Sequence, residues 1–548
     1  LLVFVAGIGA ISAEDISDIG EISSDEVADE VISVDDSVTD VSTSDADEVT
    51  SDVEPTQSST YTWGDFKSEV EDTSVNTVKL NQSNIAPSSD SSDQISINHD
   101  ITIVGGYGYY IGNADWNSAV SYNYIPMITS GNNLNVNFEN VTFQYLSNNI
   151  FIKLMGNGNY AFKNCVFNNI NCTGDHQSVI WLNYGYALIE NCTFTNVTSS
   201  FGAVTNYYTS WGTAVNNARM TVRGSTFKDN YATTEPGAIN NCGKLEVYDS
   251  NFENNRAVWW AGAIHTHSNA NTTIVRSNFR NNIAGWNGGA LYSYSYLTVI
   301  NSTFTANEAH QTSGGAIAAS AYGSRPTVVI ENCDFDDNYA VGSGGAIQFG
   351  GTSLTVNYSR FNNNNASGGT GGAISSGGTT VNVNNCNFTN NTASARGGAV
   401  YAGGAGYLNV YYSNFVNNTG SEGNDIAYYY TTKKANAAFL TYDYDEFWGA
   451  NNSSGSIYAY NTQYLVVNAG THNVFHDISE YVDPSGANDT NTSGDIIVPD
   501  SFDGVQLWNA SLSGALGGTP LVVGDRIYVP NGHSIYCLNI TNGNLLWN

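Results

Sequence analysis

Aromatic and imidazole side chains stand at matched places in two neighbouring stretches of the chain. The set is Trp259, Trp260, His265, His267, Trp286, Tyr292 and Tyr294. Exposed aromatic rings beside polar groups suit stacking on sugar rings, so we predict that these residues bind a glycan. A second interpretation, in which the rings form ladders that only stabilise the fold, stays open.

The expected exposure of this set rests on alternation along a β-strand. If Ile264 and Leu291 are buried, the side chains one and three positions after each of them point outward. This places four residues on the outside: His265, His267, Tyr292 and Tyr294. Trp259 and Trp286 each follow a repeated Phe by seven residues, so we expect them to stack on each other.

His265 and His267 also have a spacing that suits metal binding, since imidazole nitrogens are zinc ligands. No acidic residue stands beside them in the sequence. Two histidines without a carboxylate make an incomplete site, so we predict neither a metal site nor a cofactor.

Carboxylates are dense at one place in the repeated region, Asp334, Asp336 and Asp337. Enzymes that cleave polysaccharides need paired carboxylates across a cleft, or a cation site with a basic residue. This cluster lies where the other repeats carry an Asn-rich corner, so we interpret it as a solvated corner. We predict no catalytic residues and no enzymatic activity.

A repeat of 24 to 33 residues positions all of these side chains. Its marker is a phenylalanine, at Phe143, Phe167, Phe194, Phe227, Phe252, Phe279, Phe304, Phe335, Phe361, Phe388 and Phe415. Apolar residues stand seven and five positions before most of them, as Leu245 and Val247 do before Phe252. Apolar positions two apart are the period of a strand, and periods of this length indicate stacked repeats.

An Asn-rich corner follows each Phe, and many repeats continue into Gly-Gly-Ala, as at Gly288. Asn and Gly tolerate the positive φ of sharp corners, and parallel connections are almost always right-handed. The predicted fold is therefore all-β, a right-handed parallel β-helix (solenoid). It has a short N-terminal capping helix at Trp63 to Glu71 and a partial β-propeller segment at the C-terminus.

The repeats resemble the adhesin-like β-helix proteins of methanogenic archaea, which share them with bacterial polymorphic outer-membrane proteins. The motifs are Asn-x-Phe-x-Asn-Asn, Gly-Gly-Ala-Ile and a closing Trp448-Gly449-Ala450-Asn451, over about residues 61 to 460. The resemblance implies surface exposure and attachment to other cells. The C-terminal stretch, with strands near Gly504–Trp508 and Pro520–Val529, resembles repeats of pyrroloquinoline-quinone-type β-propellers.

The charge of the chain excludes one class of partner. Fifty acidic and 17 basic residues give a net charge of -33, which argues against nucleic-acid binding. The segment from Glu14 to Glu54 has acidic residues and no Lys or Arg, so we predict a disordered spacer. Leu1 to Ala13 is apolar and ends in small residues, as a signal peptide does.

The predicted organisation has five parts. They are a signal-peptide remnant at 1–13, an acidic disordered spacer at 14–60, a parallel β-helix at 61–460, a linker at 461–499 and a truncated β-propeller repeat at 500–548. The chain is expected to be truncated at both ends. Cys165 and Cys192 fall on successive repeats, where buried free thiols are favoured over a disulfide.

The sequence thus predicts an exported protein of the cell surface or cell wall that binds glycans or proteins of partner cells through a non-catalytic rod. Asn-x-Ser/Thr sequons, such as Asn140 and Asn301, make some glycosylation an expectation of export. We expect that C-terminal residues missing from this sequence anchor the protein to the cell wall or membrane. The alternatives are a polysaccharide lyase or glycoside hydrolase of the β-helix class, and a structural cell-wall stalk.

Overall fold

The computed structural model describes most of the chain between residues 61 and 476. The described ranges are 61–80, 85, 94–106, 109–113, 128–147, 151–173, 177–206, 218–320, 326–404, 406–430, 438–449, 453–460 and 465–476, with four strands between 521 and 547. Contacts divide the chain into one unit of Ser58–Ile496 and another of Leu1–Gln57 with Ile497–Asn548. The predicted signal-peptide remnant and acidic spacer lie outside the described residues.

A short helix, α1 (Trp63–Glu71), precedes the strands. It begins with a capping box, because Thr62 and Asp65 each accept a hydrogen bond from the backbone N–H of the other. Trp63, Phe66 and Val70 are buried against the same core that the strands enclose. The helix therefore covers an apolar end of that core, as predicted for a cap.

The first sheet contains fifteen parallel strands. Along most of the long strands, buried and more exposed residues alternate, as in Lys244–Tyr248, where Leu245 and Val247 are buried. The strands are Thr77–Lys79, Ile101–Val104, Asn135–Glu139, Asn159–Lys163, Tyr186–Glu190, Arg219–Arg223, Lys244–Tyr248, Asn271–Val275, Tyr296–Ile300, Thr327–Glu331, Ser353–Asn357, Thr380–Asn384, Tyr407–Tyr411, Ala438–Asp443 and Leu465–Ala469.

The second sheet carries the repeated phenylalanines. After a first strand of three residues, three strands run unbroken for six or seven residues, and most later turns divide into a strand of three residues and one of two. The strands are Tyr110–Gly112, Thr142–Ser147, Val166–Cys172, Thr193–Ser199, Thr226–Lys228, Tyr231–Ala232, Asn251–Glu253, Arg256–Ala257, Asn278–Arg280, Ile283–Ala284, Thr303–Thr305, Glu308–Ala309, Asp334–Asp336, Tyr339–Ala340, Arg360–Asn362, Asn365–Ala366, Asn387–Thr389, Thr392–Ala393, Asn414–Val416, Glu446–Trp448 and Val474–His476.

The third sheet has fourteen parallel strands, mostly of three residues, and the eight from Val204–Asn206 to Val400–Gly403 directly follow Gly-Ala. They are Ile95–Ile97, Ile128–Ser130, Ile152–Leu154, Ile180–Leu182, Val204–Asn206, Ile239–Asn241, Ile264–Thr266, Leu291–Ser293, Ile317–Ala319, Ile347–Phe349, Ile374–Ser376, Val400–Gly403, Ile426–Tyr429 and Ile457–Tyr460. A four-residue helix, α2 (Ser453–Ser456), precedes the last of them.

The phenylalanines stack inside the coil in one continuous column. From Phe143 to Phe475, successive rings lie 4.5 to 5.0 Å apart, centroid to centroid, and within 11° of parallel. This spacing is that of hydrogen-bonded strands, because each turn contributes one ring at the same register. The solenoid continues to His476, beyond its predicted end at 460 and into the stretch expected to be a linker.

Asparagine makes the corners after the phenylalanines, as predicted. Asn254 has φ 55° and Asn281 has φ 53°, in the left-handed region that Asn tolerates. The next residue of each corner, such as Asn255 or Asn282, is fully buried. Nδ2 of Asn255 donates to Oδ1 of Asn282 on the next turn and to the backbone oxygen of Phe227, both at 2.9 Å.

This bonding repeats along eight turns as a buried ladder. Its members are Asn230, Asn255, Asn282, Asn307, Asn338, Asn364, Asn391 and Asn418. Each acceptor Oδ1 also receives the backbone N–H of the asparagine before it. The ladder satisfies polar groups that the corner would otherwise bury without partners.

Serine and cysteine share another buried column, two residues before the phenylalanines from Phe167 to Phe415. The backbone N–H of Cys192 donates to Oγ of Ser225 at 3.0 Å, and that of Cys333 to Oγ of Ser359 at 3.1 Å. Cys165 and Cys192 are free and buried, with Sγ of Cys165 directed at the backbone oxygen of Phe138 at 3.3 Å. Buried free thiols, which the sequence favours, are confirmed.

Four antiparallel strands near the C-terminus form a separate small sheet. They are Leu521–Val523, Arg526–Asn531, Ser534–Asn539 and Leu545–Trp547. Within the described part of the chain, no helix has the length and hydrophobicity needed to span a membrane.

Candidate functional site

Two adjacent strands of the third sheet, Ile264–Thr266 and Leu291–Ser293, form the floor of the candidate site. Ile264 pairs with Leu291, and His265 pairs with Tyr292. Ile264 and Leu291 belong to the main core, so alternation directs the side chains of His265 and Tyr292 away from it. The predicted side of the strand is therefore correct for these two residues.

Their predicted exposure is wrong. His265 is 0 % exposed and Tyr292 is 5 % exposed, because the segment between the second and third sheets folds over the outer face. Ala261 of this segment packs with Tyr292 and Ala318 in a small second hydrophobic cluster. Trp260 covers the same face, with its ring 5.9 Å from that of Tyr292.

His267 and Tyr294, two residues further along each strand, are half-buried rather than exposed. The rings of His265 and His267 lie 4.0 Å apart, and that of Tyr294 lies 5.4 Å from His265. Trp260 and Tyr294 also pack against the second cluster. These side chains enclose His265. They do not form the open sugar-binding face that the sequence predicts.

Trp259 and Trp286 are the exposed members of the predicted set, at 44 % and 38 %. Their rings stack at 5.4 Å and 12°, as predicted for neighbouring turns. The backbone N–H of Trp286 donates to the backbone oxygen of Trp259 at 2.7 Å, which fixes their register. Trp260 meets both rings nearly edge-on, at 5.6 and 5.9 Å, so the exposed pair rests on a third indole.

A carboxylate that the sequence prediction missed lies beside the histidines. Oε2 of Glu235 is 3.2 Å from Nδ1 of His265, and both side chains are buried. Glu235 belongs to the preceding turn, 30 positions before His265. Aligning the turns on Gly237 and Gly262 would have revealed it, because this alignment places Glu235 in the same column as Trp260.

Glu235, His265 and His267 form a compact group of potential ligands. One donor atom from each lies within 4.8 Å of the other two. Nε2 of His267 is 2.8 Å from Oδ1 of Asn240, which holds the ring in place. Burial lowers the pKa of His265 to about 3, and burial with repulsion from His265 lowers that of His267 to about 3. Both rings are therefore neutral at neutral pH.

Comparison with known proteins identifies the architecture. A family model described as a right-handed beta helix region matches residues 238–426, which include both strands of the site. Together with the three parallel sheets, this match decides the fold. The described turns between residues 77 and 476 form a right-handed parallel β-helix.

Other comparisons do not assign a function to this β-helix protein. Its sequence matches no curated protein. One similar solved structure is a mannuronic acid specific polysaccharide family 6 lyase enzyme from human gut microbiota, with 10 % identity and a TM-score of 0.27. The similarity covers 72 % of this chain and 86 % of the lyase chain. At that TM-score, it carries no inference about activity.

The acidic cluster of the β-helix is held in ion pairs. Arg360 pairs with Asp334 at 3.2 Å and with Asp336 at 3.0 Å, because Asp334 and Arg360 are register partners on adjacent turns. Asp337 has φ 56° and forms the corner that asparagine forms elsewhere. Burial raises the pKa of Asp336 to about 6. One guanidinium bridging two carboxylates forms a cross-strand contact on this face.

Proposed function

We propose that this β-helix protein is an exported, adhesin-like protein of the cell surface that binds glycans without cleaving them. The observation that carries the proposal is the exposed stack of Trp259 on Trp286, supported from beneath by Trp260. Because the two indoles stack on each other, what they leave to solvent is an apolar ridge that spans two successive turns. The apolar faces of sugar rings pack against such surfaces.

The size of this surface argues for binding through many copies. Each stacking contact contributes about 0.5 to 1.5 kcal/mol, so one stack of two indoles binds weakly. Many rods on one cell multiply such contacts into stable attachment. The expected partners are therefore repeated glycans or glycosylated proteins on another cell, which offer many copies of one sugar.

Charge favours uncharged glycans among these partners. The net charge of -33 repels anionic polysaccharides over the distances at which partners first meet. Neutral hexose or amino-sugar polymers avoid this repulsion, whereas uronic-acid polymers do not. We therefore propose that the stacked indoles select neutral glycans.

Three wider features belong to the same proposal and rest on the sequence. Export rests on the apolar segment at 1–13, and archaeal adhesin type rests on the Asn-x-Phe and Gly-Gly-Ala repeats. A C-terminal propeller of the pyrroloquinoline-quinone type rests on residues 500–548. A structural cell-wall stalk stays as the alternative if the rod binds no glycan.

The test is a glycan array probed with the protein on multivalent beads. Wild-type beads should bind neutral glycans, and beads with Trp259→Ala/Trp286→Ala should lose that binding. Chromatography of the soluble polysaccharides after incubation should show unchanged chain lengths. Binding by neither protein would contradict the glycan proposal, and shortened polysaccharide would replace it with a lyase or hydrolase.

A further inference from the structure

We propose that Glu235, His265 and His267 bind one divalent transition-metal ion of the zinc class. The ion would join two successive turns of the β-helix, since Glu235 comes from one turn and both histidines from the next. This site is separate from the exposed indole stack, and the inference stands whether or not the protein binds glycans.

The spacing of the donor atoms fits a single ion. Ligands bound to tetrahedral zinc at about 2.0 to 2.1 Å lie about 3.3 Å from each other. Oε2 of Glu235 and Nδ1 of His265 are 3.2 Å apart. The third donor, from His267, lies within 4.8 Å of both, so an ion bound by the first two would lie beside it.

The hydrogen bond of His267 orients its ring for this role. If Nε2 carries the proton and donates to Oδ1 of Asn240 at 2.8 Å, the lone pair is on Nδ1. Metal-bound histidines almost always donate their other N–H to an oxygen in this way, which fixes both tautomer and ring orientation. Asn240 is itself buried and pairs with His265 across the two strands.

His265 provides the observation that favours an ion over an ordinary buried contact. It is fully buried, and Nε2 has no hydrogen-bond partner among the described residues. Nδ1 is close to Oε2 of Glu235 but is too poorly aligned for a hydrogen bond. A buried imidazole is normally paired, and an ion between Nδ1 and Oε2 would give Nδ1 the partner that no hydrogen bond supplies.

The donor set and its surroundings select the type of ion. Two imidazoles and one carboxylate suit zinc and related transition metals, whereas calcium and magnesium prefer sites made of oxygen. Trp260, Tyr292 and Tyr294 surround His265 and keep bulk water from the group, which strengthens attraction between the carboxylate and a cation.

Calorimetric titration of Zn²⁺ into the chelator-treated full chain tests the site. Wild type should bind one ion per chain at this site and unfold at a higher temperature with Zn²⁺ than without it. Glu235→Gln and His267→Gln should each abolish this binding. Asn240→Ala, outside the coordination shell, should weaken it by roughly 10- to 100-fold.

The matched control is His310→Gln. His310 also contacts a glutamate, Glu308, but both side chains are 41 % exposed, and the pair belongs to no group of three potential metal ligands in the described part of the chain. This variant should bind Zn²⁺ as wild type does. Circular dichroism checks that each variant is folded; if Glu235→Gln does not fold, His267→Gln decides the result.

Cobalt substitution gives an independent readout. Co²⁺ in the site should produce the visible absorption of a four-coordinate ion in wild type and in His310→Gln, and none in His267→Gln. Absence of saturable Zn²⁺ binding to wild type would overturn the proposal. So would folded Glu235→Gln and His267→Gln variants that bind Zn²⁺ as tightly as wild type.

Discussion

Asn418 donates a hydrogen bond from Nδ2 to Oδ1 of Asp425 at 3.0 Å. This bond ends the buried asparagine ladder, because Asn418 donates to a carboxylate seven residues further along its own turn, whereas the earlier members donate to the asparagine of the next turn. Asp425 is 3 % exposed, and burial raises its pKa to about 7, although the bond from Asn418 acts in the opposite direction.

Asp425→Asn should therefore stabilise the protein more at high pH than at low pH. The pKa of an aspartate is about 3.9 in an unfolded chain and about 7 here, so the folded state retains a proton that the unfolded state releases. The stabilising contribution is complete below about pH 4 and is lost as the pH rises towards 7.

The measurement is the difference in free energy of unfolding between Asp425→Asn and wild type from pH 4 to 8. Groups common to both proteins cancel in this difference, which should grow by up to about 1.4 kcal/mol per pH unit and level off above pH 7. For Asp445→Asn the same difference should grow up to about pH 8, because burial raises the pKa of Asp445 to about 8. A difference independent of pH would contradict the assignment.

The interior of the ladder should be sensitive to the loss of one amide. Asn307→Ala removes donors to Oδ1 of Asn338 and to the backbone oxygen of Phe279, both at 3.0 Å. The groups left without partners are buried, so we expect a loss of about 2 to 4 kcal/mol in the free energy of unfolding. Chemical denaturation measures it.

Asn251→Ala is the matched control for Asn307→Ala. Asn251 is exposed and its side chain accepts a hydrogen bond from Asn278, which is also exposed. Its loss should change the free energy of unfolding by less than about 0.5 kcal/mol. Equal effects of the two substitutions would show that the buried ladder has no special role.

Replacing one phenylalanine by a carboxylate should prevent folding of the coil. Phe279 lies between Phe252 and Phe304, at 4.7 and 4.8 Å, and Phe279→Asp would place an unpaired charge in this stack. Phe279→Leu keeps an apolar side chain and should stay folded. Soluble yield and circular dichroism of the two variants measure the difference. A folded Phe279→Asp variant with the wild-type melting temperature would show that the phenylalanine stack is not needed for folding.

The sequence predicts the coil well because each turn must place like residues above like residues. Phe252 packs on Phe279 and Asn255 bonds to Asn282, so the register is recorded directly as a repeat. Leu245 and Val247 likewise show the period of a strand. Such local patterns determine the sheets, the corners and the capping helix.

The candidate site is less predictable because a non-repeating segment shapes it. Alternation gives the direction of His265 but not the path of the chain through Trp260 and Ala261, which buries it. Glu235 reaches the histidines from the previous turn, so no local pattern contains all three residues. The exposed Trp259–Trp286 stack was predictable, since it depends only on the register.

Adhesion under flow tests the central claim most directly. Beads coated with wild type, Trp259→Ala/Trp286→Ala or Tyr407→Ala/Phe439→Ala are passed over the best glycan from the array, and the retained fraction is measured. Tyr407 and Phe439 form a comparable stack at 4.7 Å elsewhere on the rod, so this variant controls for general loss of aromatic surface. Wild-type and Tyr407→Ala/Phe439→Ala beads should be retained equally, and Trp259→Ala/Trp286→Ala beads should wash away. Equal retention of all three folded proteins would contradict the claim that the indole stack binds the glycan.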